Sequence, residues 1–269
     1  MNILERFNIE VKNGVGFVTL SRPEKRNVMD GDFFKGLVEA VDVIDKDPEV
    51  RVAVLRADGK SFTAGLDLGW AGALLSEGTG ADARELLRKS VLALQNSNNV
   101  IERSLKPVIA AVHSHCIGGG IDMIAACDIR LCTKDTVFSI RETKLAIIAD
   151  LGTLQRLPGI VGQGWYRELA LTGRDFSADE ALRMGFVTRV LPDKDALWAE
   201  AEKLAADIAS LPPLTVQGVR DVALFTRDYG VSASLQYVAQ KNAAQLPSED
   251  LMEAVMAFMQ KRAPVFKGK

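Results

Sequence analysis

The run Pro107-Val108-Ile109-Ala110-Ala111-Val112 constrains this chain more than any other feature. Its near-continuous apolar character predicts a strand buried on both faces, which requires a sheet with helices packed on either side. Gly118-Gly119-Gly120 follows directly and opens an apolar helix from Ile121 to Ala126, and Ile129 to Cys132 reads as the next strand. Val50 to Leu55 is another strand, and it too leads into a glycine-containing turn, Phe62-Thr63-Ala64-Gly65-Leu66-Asp67. Strand, glycine loop and helix thus recur, the pattern of an α/β core whose helices cross between strands.

The remaining signals extend that core and then change character. Asn8 to Val11 and Val15 to Leu20 flank Lys12-Asn13-Gly14, whose Asn-Gly predicts a hairpin. Phe34, Leu37, Val38, Val41 and Ile44 share one helical face, closed by Asp47-Pro48. Ala81 to Leu105 reads as a further helix, preceded by a mobile-looking Ser76–Gly80 loop. Phe138-Ser139-Ile140 is a short strand, and Ser177-Ala178-Asp179-Glu180 is a capping box for a helix ending at Gly185. Phe186 to Leu191 is the last β-signal. Beyond Asp195 only helical segments remain: Asp195–Ser210, Leu214–Arg227 and Ser248–Arg262, with Pro212-Pro213 separating the first two. The expected organisation is a core over 1–195 and a helical region over 196–269, of the amphipathic kind that packs on a partner subunit.

Charge and composition remove several classes of function. The 33 Lys+Arg against 35 Asp+Glu leave a net charge of −2, with no electrostatic drive toward nucleic acid or membrane surfaces. Hydrophobic residues at 48% exclude wholesale disorder. Three cysteines, with no C-x-x-C and only two histidines, argue against a disulfide framework and against structural zinc. No apolar run approaches the ~18 residues of a membrane span. Neither terminus reads as a targeting signal, so the cytoplasm is the expected compartment.

The two glycine turns offer the first chemical possibility. Backbone N–H groups from two such loops can converge on one oxygen that becomes negative during reaction. Either turn alone requires nothing beyond a tight bend or close helix packing. G-x-G-x-x-G, the P-loop and G-x-S-x-G are all absent. His113 and His115 end a buried strand, where a hydrogen-bonded structural histidine is expected. Asp122 lies in the first turn of an apolar helix, and Asp150 sits among Ala146-Ile147-Ile148-Ala149 and Leu151. A carboxylate buried there requires a partner or a purpose. For Asp122 a helix-cap role and a catalytic role stand level. Glu142, between Arg141 and Lys144, has a surface ion pair as its alternative.

Six motifs in register then identify a resemblance over essentially the whole chain. They are Ser21-Arg22-Pro23-Glu24-Lys25-Arg26-Asn27, Phe62 to Asp67, Cys116 to Gly120, Ala125 to Arg130, Gln155 to Pro158, and Ala257 to Arg262. The chain resembles the crotonase (enoyl-CoA hydratase/isomerase) superfamily, and within it the Δ3,5-Δ2,4-dienoyl-CoA isomerases. That subgroup carries Asp after Gly-Gly-Gly, a Glu twenty residues on and an Asp eight further, as Asp122, Glu142 and Asp150 do.

The resemblance implies a spiral of ββα units with a C-terminal helical trimerisation region. It implies an oxyanion hole from the Ala64 and Gly119 N–H groups, stabilising a dienolate, and a 1,5-proton shift between carbons 2 and 6. Glu142 would serve as the base at carbon 2. Asp150 would be the acid at carbon 6, kept protonated by its apolar setting. Asp122 would tune Glu142 as a neighbouring charge or hold a proton for it. CoA would be held by Lys25, Arg26, Asn27, Ala64, Asp67 and Leu68, with Phe258 and Lys261 reaching it from a neighbouring subunit. A homo-trimer or homo-hexamer follows, with no metal and no cofactor beyond the CoA of the substrate. The alternatives are an enoyl-CoA hydratase, whose water site Asp122 would form poorly, and a non-catalytic CoA-binding protein of the same fold.

Overall fold

Asn13 and Gly14 both take positive φ, 53° and 79°, and close a two-residue hairpin between β1 (Phe7–Lys12) and β2 (Val15–Leu20). Positive φ at both central residues matches the twist of the strands, which is what Asn-Gly predicts. The computed structural model describes residues 3–75, 78 and 80–269. Ser76, Glu77 and Thr79 of the expected mobile loop lie outside the described residues.

The hairpin begins a six-stranded sheet that continues through β3 (Val52–Ala57) and β4 (Val108–Val112). Beyond these, β5 (His115–Ile117) and β7 (Val137–Ser139) belong to a second sheet, while β6 (Ile129–Thr133) stays beside β4. The second sheet is completed by β8 (Asp175–Ser177), and β9 (Arg189–Leu191) closes the first. All pairings from β2 to β9 in the first sheet are parallel.

Side-chain alternation shows why β4 is apolar throughout. Val108, Ala110 and Val112 enter the larger core, whereas Ile109 and Ala111 enter a second core on the opposite face. In β3 the same division holds, with Ala53, Leu55 and Ala57 on one side and Val52 and Val54 on the other. The larger core is covered by α1 (Gly31–Lys46), whose Phe34, Leu37, Ala40 and Ile44 are buried. Asp30 caps α1 by accepting the Phe33 N–H at 2.9 Å. After β3 come α2 (Leu68–Leu75) and then α3 (Ala81–Arg103), which leads back to β4.

Three further helices are short or interrupted. α4 (Gly119–Ala125) is buried along its whole length. α5 (Thr153–Thr172) contains Pro158 and bends at Gly162, whose φ is 76°. α6 (Ala178–Arg183) carries the expected capping box, Ser177 and Glu180 bonding each other's backbone N–H.

The opposite core is sealed by α7 (Lys194–Ala209) through Leu197, Ala201, Ala205 and Ala209. That helix begins at the division expected at residue 195 and packs on the sheet, and α8 (Pro213–Gln245) follows it. α8 is two helices meeting at Gly230, where φ is 80°, and α9 (Glu249–Gln260) ends the helical region. Arg220 of α8 ties that region to the core, donating to the Asp128 carboxylate and to the Ser104 and Ile101 carbonyls at 2.6–2.9 Å. The fold is α/β, as expected.

Candidate active site

The two glycine turns meet because the chain leaves the first sheet after β4. Ser114 takes a φ of 57° and redirects the chain into β5, which runs beside the turn that follows β3. Phe62 and Thr63 donate their N–H groups to the His113 and His115 carbonyls at 3.1 and 2.9 Å. A Cβ on Gly65 would lie 2.7 Å from the Ile117 carbonyl oxygen, and one on Gly120 would lie 2.5 Å from the Thr63 methyl. Both positions therefore need glycine for close approach, and Gly65 also for its φ of 85°.

The hydrogen bonds in the first turn correct one expectation. Ala64 donates its N–H to the Arg26 carbonyl at 3.0 Å, and Gly65 donates to Thr63 Oγ1 at 3.1 Å. Neither is free for a ligand. Leu66 is the first residue of the turn whose N–H has no acceptor among the described residues, and Gly119, at the start of α4, is likewise unpaired. Leu66 and Gly119 both line a cavity of about 530 Å³, of the size that takes a small molecule. The signal for Leu66 was its place in the same glycine turn.

Asp122, Glu142 and Asp150 all line this cavity. Asp122 is 1% exposed, and its Oδ1 accepts the Thr153 N–H at 2.6 Å. It is a cap, but of α5 rather than of its own helix. Burial pushes its pKa up to about 6, with Thr153 opposing and Asp150 adding to the rise. Glu142 opens a 3-10 turn closed by Ala146, whose φ is 57°. Arg141, its neighbour, donates to Ser139 Oγ and to Asp175 Oδ1 at 3.1 and 2.6 Å, so the surface pair with Glu142 does not form. Glu142 Oε2 is buried without a partner among the described residues, and Oε1 lies beside Gly118, 3.2 Å from where a Cβ would stand. Burial, then the charge of Asp122, push the Glu142 pKa up to about 7.

Asp150 is half-buried, and burial raises its pKa as well. Its apolar neighbours in sequence predict that it is the strongly protonated acid. The largest rises fall instead on Glu142 and Asp122, because those two are more deeply enclosed and Asp122 adds its charge to the Glu142 site.

Several residues expected to hold CoA have other work. Asn27 is 1% exposed; its Oδ1 accepts the Arg22 N–H, and its Nδ2 donates to the Asp58 and Ser61 carbonyls at 2.9 and 3.0 Å. The side chain is spent on shaping the loop. Asp67 caps α2, accepting from the Gly69 and Trp70 N–H groups. Arg26, Ala64 and Leu68 do line the cavity, while Lys25, Phe258 and Lys261 are exposed elsewhere on the chain. His113 is structural, Nε2 lying 3.1 Å from the Gly59 carbonyl, and His115, its Nδ1 2.8 Å from Ser114 Oγ, also lines the cavity wall. All three cysteines are free and buried. Among the described residues, no cluster of three His, Cys, Asp or Glu is placed to hold a metal, and no helix is long and apolar enough to cross a membrane.

A buried acid with a raised pKa has a consequence for stability. The folded-state value of Asp122, about 6, lies above its ordinary 3.8, so ionisation disfavours the fold. The penalty is absent below the lower value, grows as pH rises between them and is complete above the upper one. It amounts to about 3 kcal/mol at most. Asp122→Asn keeps an oxygen for the Thr153 N–H and removes the charge. Thermal unfolding is expected to show the variant more stable than the parent at pH 8, with the gap closing as pH falls through 6. A variant less stable at pH 8 would contradict the buried-charge account.

Residues 10–269 match the model of the family described as enoyl-CoA hydratase/isomerase. The chain belongs to this family. A Dictyostelium discoideum member named mitochondrial Δ(3,5)-Δ(2,4)-dienoyl-CoA isomerase is 47% identical over 262 residues, covering 95% of this chain and 89% of that protein. An Arabidopsis thaliana member named as the peroxisomal enzyme is 42% identical over 267 residues, covering 98% and 96%. Among solved structures, an enoyl-CoA hydratase from Bacillus anthracis superposes with a TM-score of 0.90 at 29% identity, covering 98% of this chain and all of that one. The family resemblance carried by the six motifs is thereby borne out.

Proposed function

We propose that this member of the enoyl-CoA hydratase/isomerase family converts 3,5-dienoyl-CoA to 2,4-dienoyl-CoA by a 1,5-proton shift. The observation that carries the reading is the third acid. Asp150 lines the same cavity as Asp122 and Glu142, together with two residues whose N–H groups are unpaired. The relatives at 42% and 47% identity named as such isomerases support it.

The thioester oxygen would sit on the Leu66 and Gly119 N–H groups, where charge develops as the carbon 2 proton leaves. Glu142 lies beside Gly118, one residue from the Gly119 donor, so it is the group for carbon 2. Its carboxylate takes the proton, and the electron pair spreads from the oxygen through the diene to carbon 6. Asp150 delivers a proton there, in the form of the enzyme in which it and not Glu142 carries the proton, and exchange with solvent returns both groups to that form before the next turnover. Double bonds at carbons 3 and 5 become double bonds at carbons 2 and 4, with no electrons gained or lost. Such a reaction needs no redox cofactor or metal. Phe34, Leu145, Ile147 and Leu151 give the acyl chain apolar walls. The charge of Asp122 raises the Glu142 pKa, and its carboxylate anchors the start of α5.

Arg26 and Leu68, with Lys25 nearby in sequence, would meet the CoA portion; Phe258 and Lys261 would reach it from a neighbouring copy. A homo-trimer or homo-hexamer built through the terminal helices is proposed with them. The exposure of Leu251, Met252, Val255, Met256 and Met259 on α9 supports it. The cytoplasm is our proposed compartment; the mitochondrial and peroxisomal names of the relatives make an organelle the alternative, which cell fractionation decides.

The hydratase reading rests on more distant relatives and would need a water held by Asp122 and Glu142 together. Purified protein mixed with a 3,5-dienoyl-CoA is expected to produce the conjugated 2,4-dienoyl chromophore, and to hydrate crotonyl-CoA far more slowly. Rapid hydration without isomerisation would reverse the assignment. Binding of CoA esters without either turnover would leave the non-catalytic reading.

A further inference from the structure

Asp150 stands in a segment with no regular structure, between the 3-10 turn at Glu142 and the start of α5. What holds that segment comes from α3. Gln95 donates its Nε2 to the Asp150 carbonyl at 2.7 Å, and Asn98 donates its Nδ2 to the Leu151 carbonyl at 3.1 Å. Arg156, one turn into α5, donates to Asn99 Oδ1 at 2.7 Å and grips both Glu102 oxygens at 2.9 and 3.1 Å. The Arg156 guanidinium lies directly over Gly152, where any side chain would collide with it.

Gln95, Asn98, Asn99 and Glu102 follow one another at i, i+3, i+4 and i+7, so they form a polar stripe on a single face of α3. Such a stripe facing inward is costly unless every group is bonded. Here the stripe meets the Asp150–Arg156 segment, binding two of its carbonyls and its arginine. None of the stripe lines the cavity.

We propose that Gln95 is a positioning residue for Asp150, setting its carboxyl group against carbon 6 by fixing its carbonyl, with Asn98 holding the adjoining peptide. The inference rests on the isomerase reading. Removing the Gln95 bond lets the acid drift while the Glu142 end of the site, beside β7 and α4, is untouched. A misplacement of about 1 Å can cost on the order of 10²-fold in rate.

Gln95→Met keeps the length of the side chain and removes the donor. The wild type and the variant would be compared on 3,5-octadienoyl-CoA for kcat and KM. The same proteins would be assayed for exchange of the carbon 2 hydrogen in heavy water, which needs Glu142 and the oxyanion site but not Asp150. The expected result is kcat lowered roughly 10- to 100-fold with KM and exchange within about twofold of the parent. Gln95→Asn, one methylene shorter, is expected to show the same split at smaller amplitude. Unchanged kcat in Gln95→Met overturns the proposal. So does loss of exchange in parallel with turnover in both variants, which marks Gln95 as merely structural. Absence of turnover in the wild type defeats the isomerase reading itself, and the positioning role with it.

Discussion

Glu142→Gln is expected to lose both halves of the reaction: formation of the 2,4-diene and exchange of the carbon 2 hydrogen in heavy water. Gln keeps the shape of the side chain but cannot take a proton, and a positioned base contributes roughly 10²–10⁴-fold. The pH dependence of the parent follows from the same group. Its pKa, pushed up to about 7 by burial and by Asp122, puts the active, ionised form in the majority only above that pH. Below it, kcat/KM is expected to fall about tenfold per pH unit as the base is protonated. Asp122→Asn removes the neighbouring charge, lowers the Glu142 pKa and moves this acid limb to lower pH. A pH–rate profile of the parent and the Asn variant tests the sign. A limb that moves upward, or carbon 2 exchange that survives in Glu142→Gln, would remove Glu142 from that role.

Much of this arrangement was legible in the sequence, because it depends on patterns that local physics enforces. The Asn13-Gly14 turn needs two positive φ values, and the apolar run of β4 needs two buried faces; each has one structural solution. The three acids were legible as a set only through the family resemblance, whose intervals they match. What was hidden depended on partners distant in sequence. Ala64 and Leu66 look equally suited as donors until the Arg26 carbonyl is brought against the first of them. Asn27 is a polar loop residue that suits a CoA ester, yet its amide is consumed by the Asp58 and Ser61 carbonyls, more than thirty residues on. Asp122 caps a helix that begins thirty-one residues later. Pro158 and Gly162 interrupt the periodicity that would announce that helix. The rank of the acids was hidden too, for the apolar neighbours of Asp150 along the chain do not enclose it as the folded cavity encloses Glu142.

Asp150→Asn is expected to separate the steps that Glu142→Gln abolishes together. Asn is isosteric, and the carbonyl at this position keeps its bond from Gln95, so the segment stays in place. The Leu66 and Gly119 donors and Glu142 are unaffected, and the carbon 2 hydrogen should still exchange with solvent. Without an acid at carbon 6 the extended enolate can only be reprotonated where it was formed. Appearance of the 2,4-dienoyl chromophore is therefore expected to fall by roughly 10²–10⁴-fold, with KM little changed because the substituted amide fills the same space as the carboxyl group. Exchange measured by mass spectrometry of recovered substrate, beside the chromophore assay, reads both steps on one sample. Turnover that persists in Asp150→Asn would mean that Glu142 alone carries the proton from carbon 2 to carbon 6. A single carboxyl group would then have to reach both ends of a five-carbon span, which the separate placement of Glu142 beside Gly118 and of Asp150 ahead of α5 argues against.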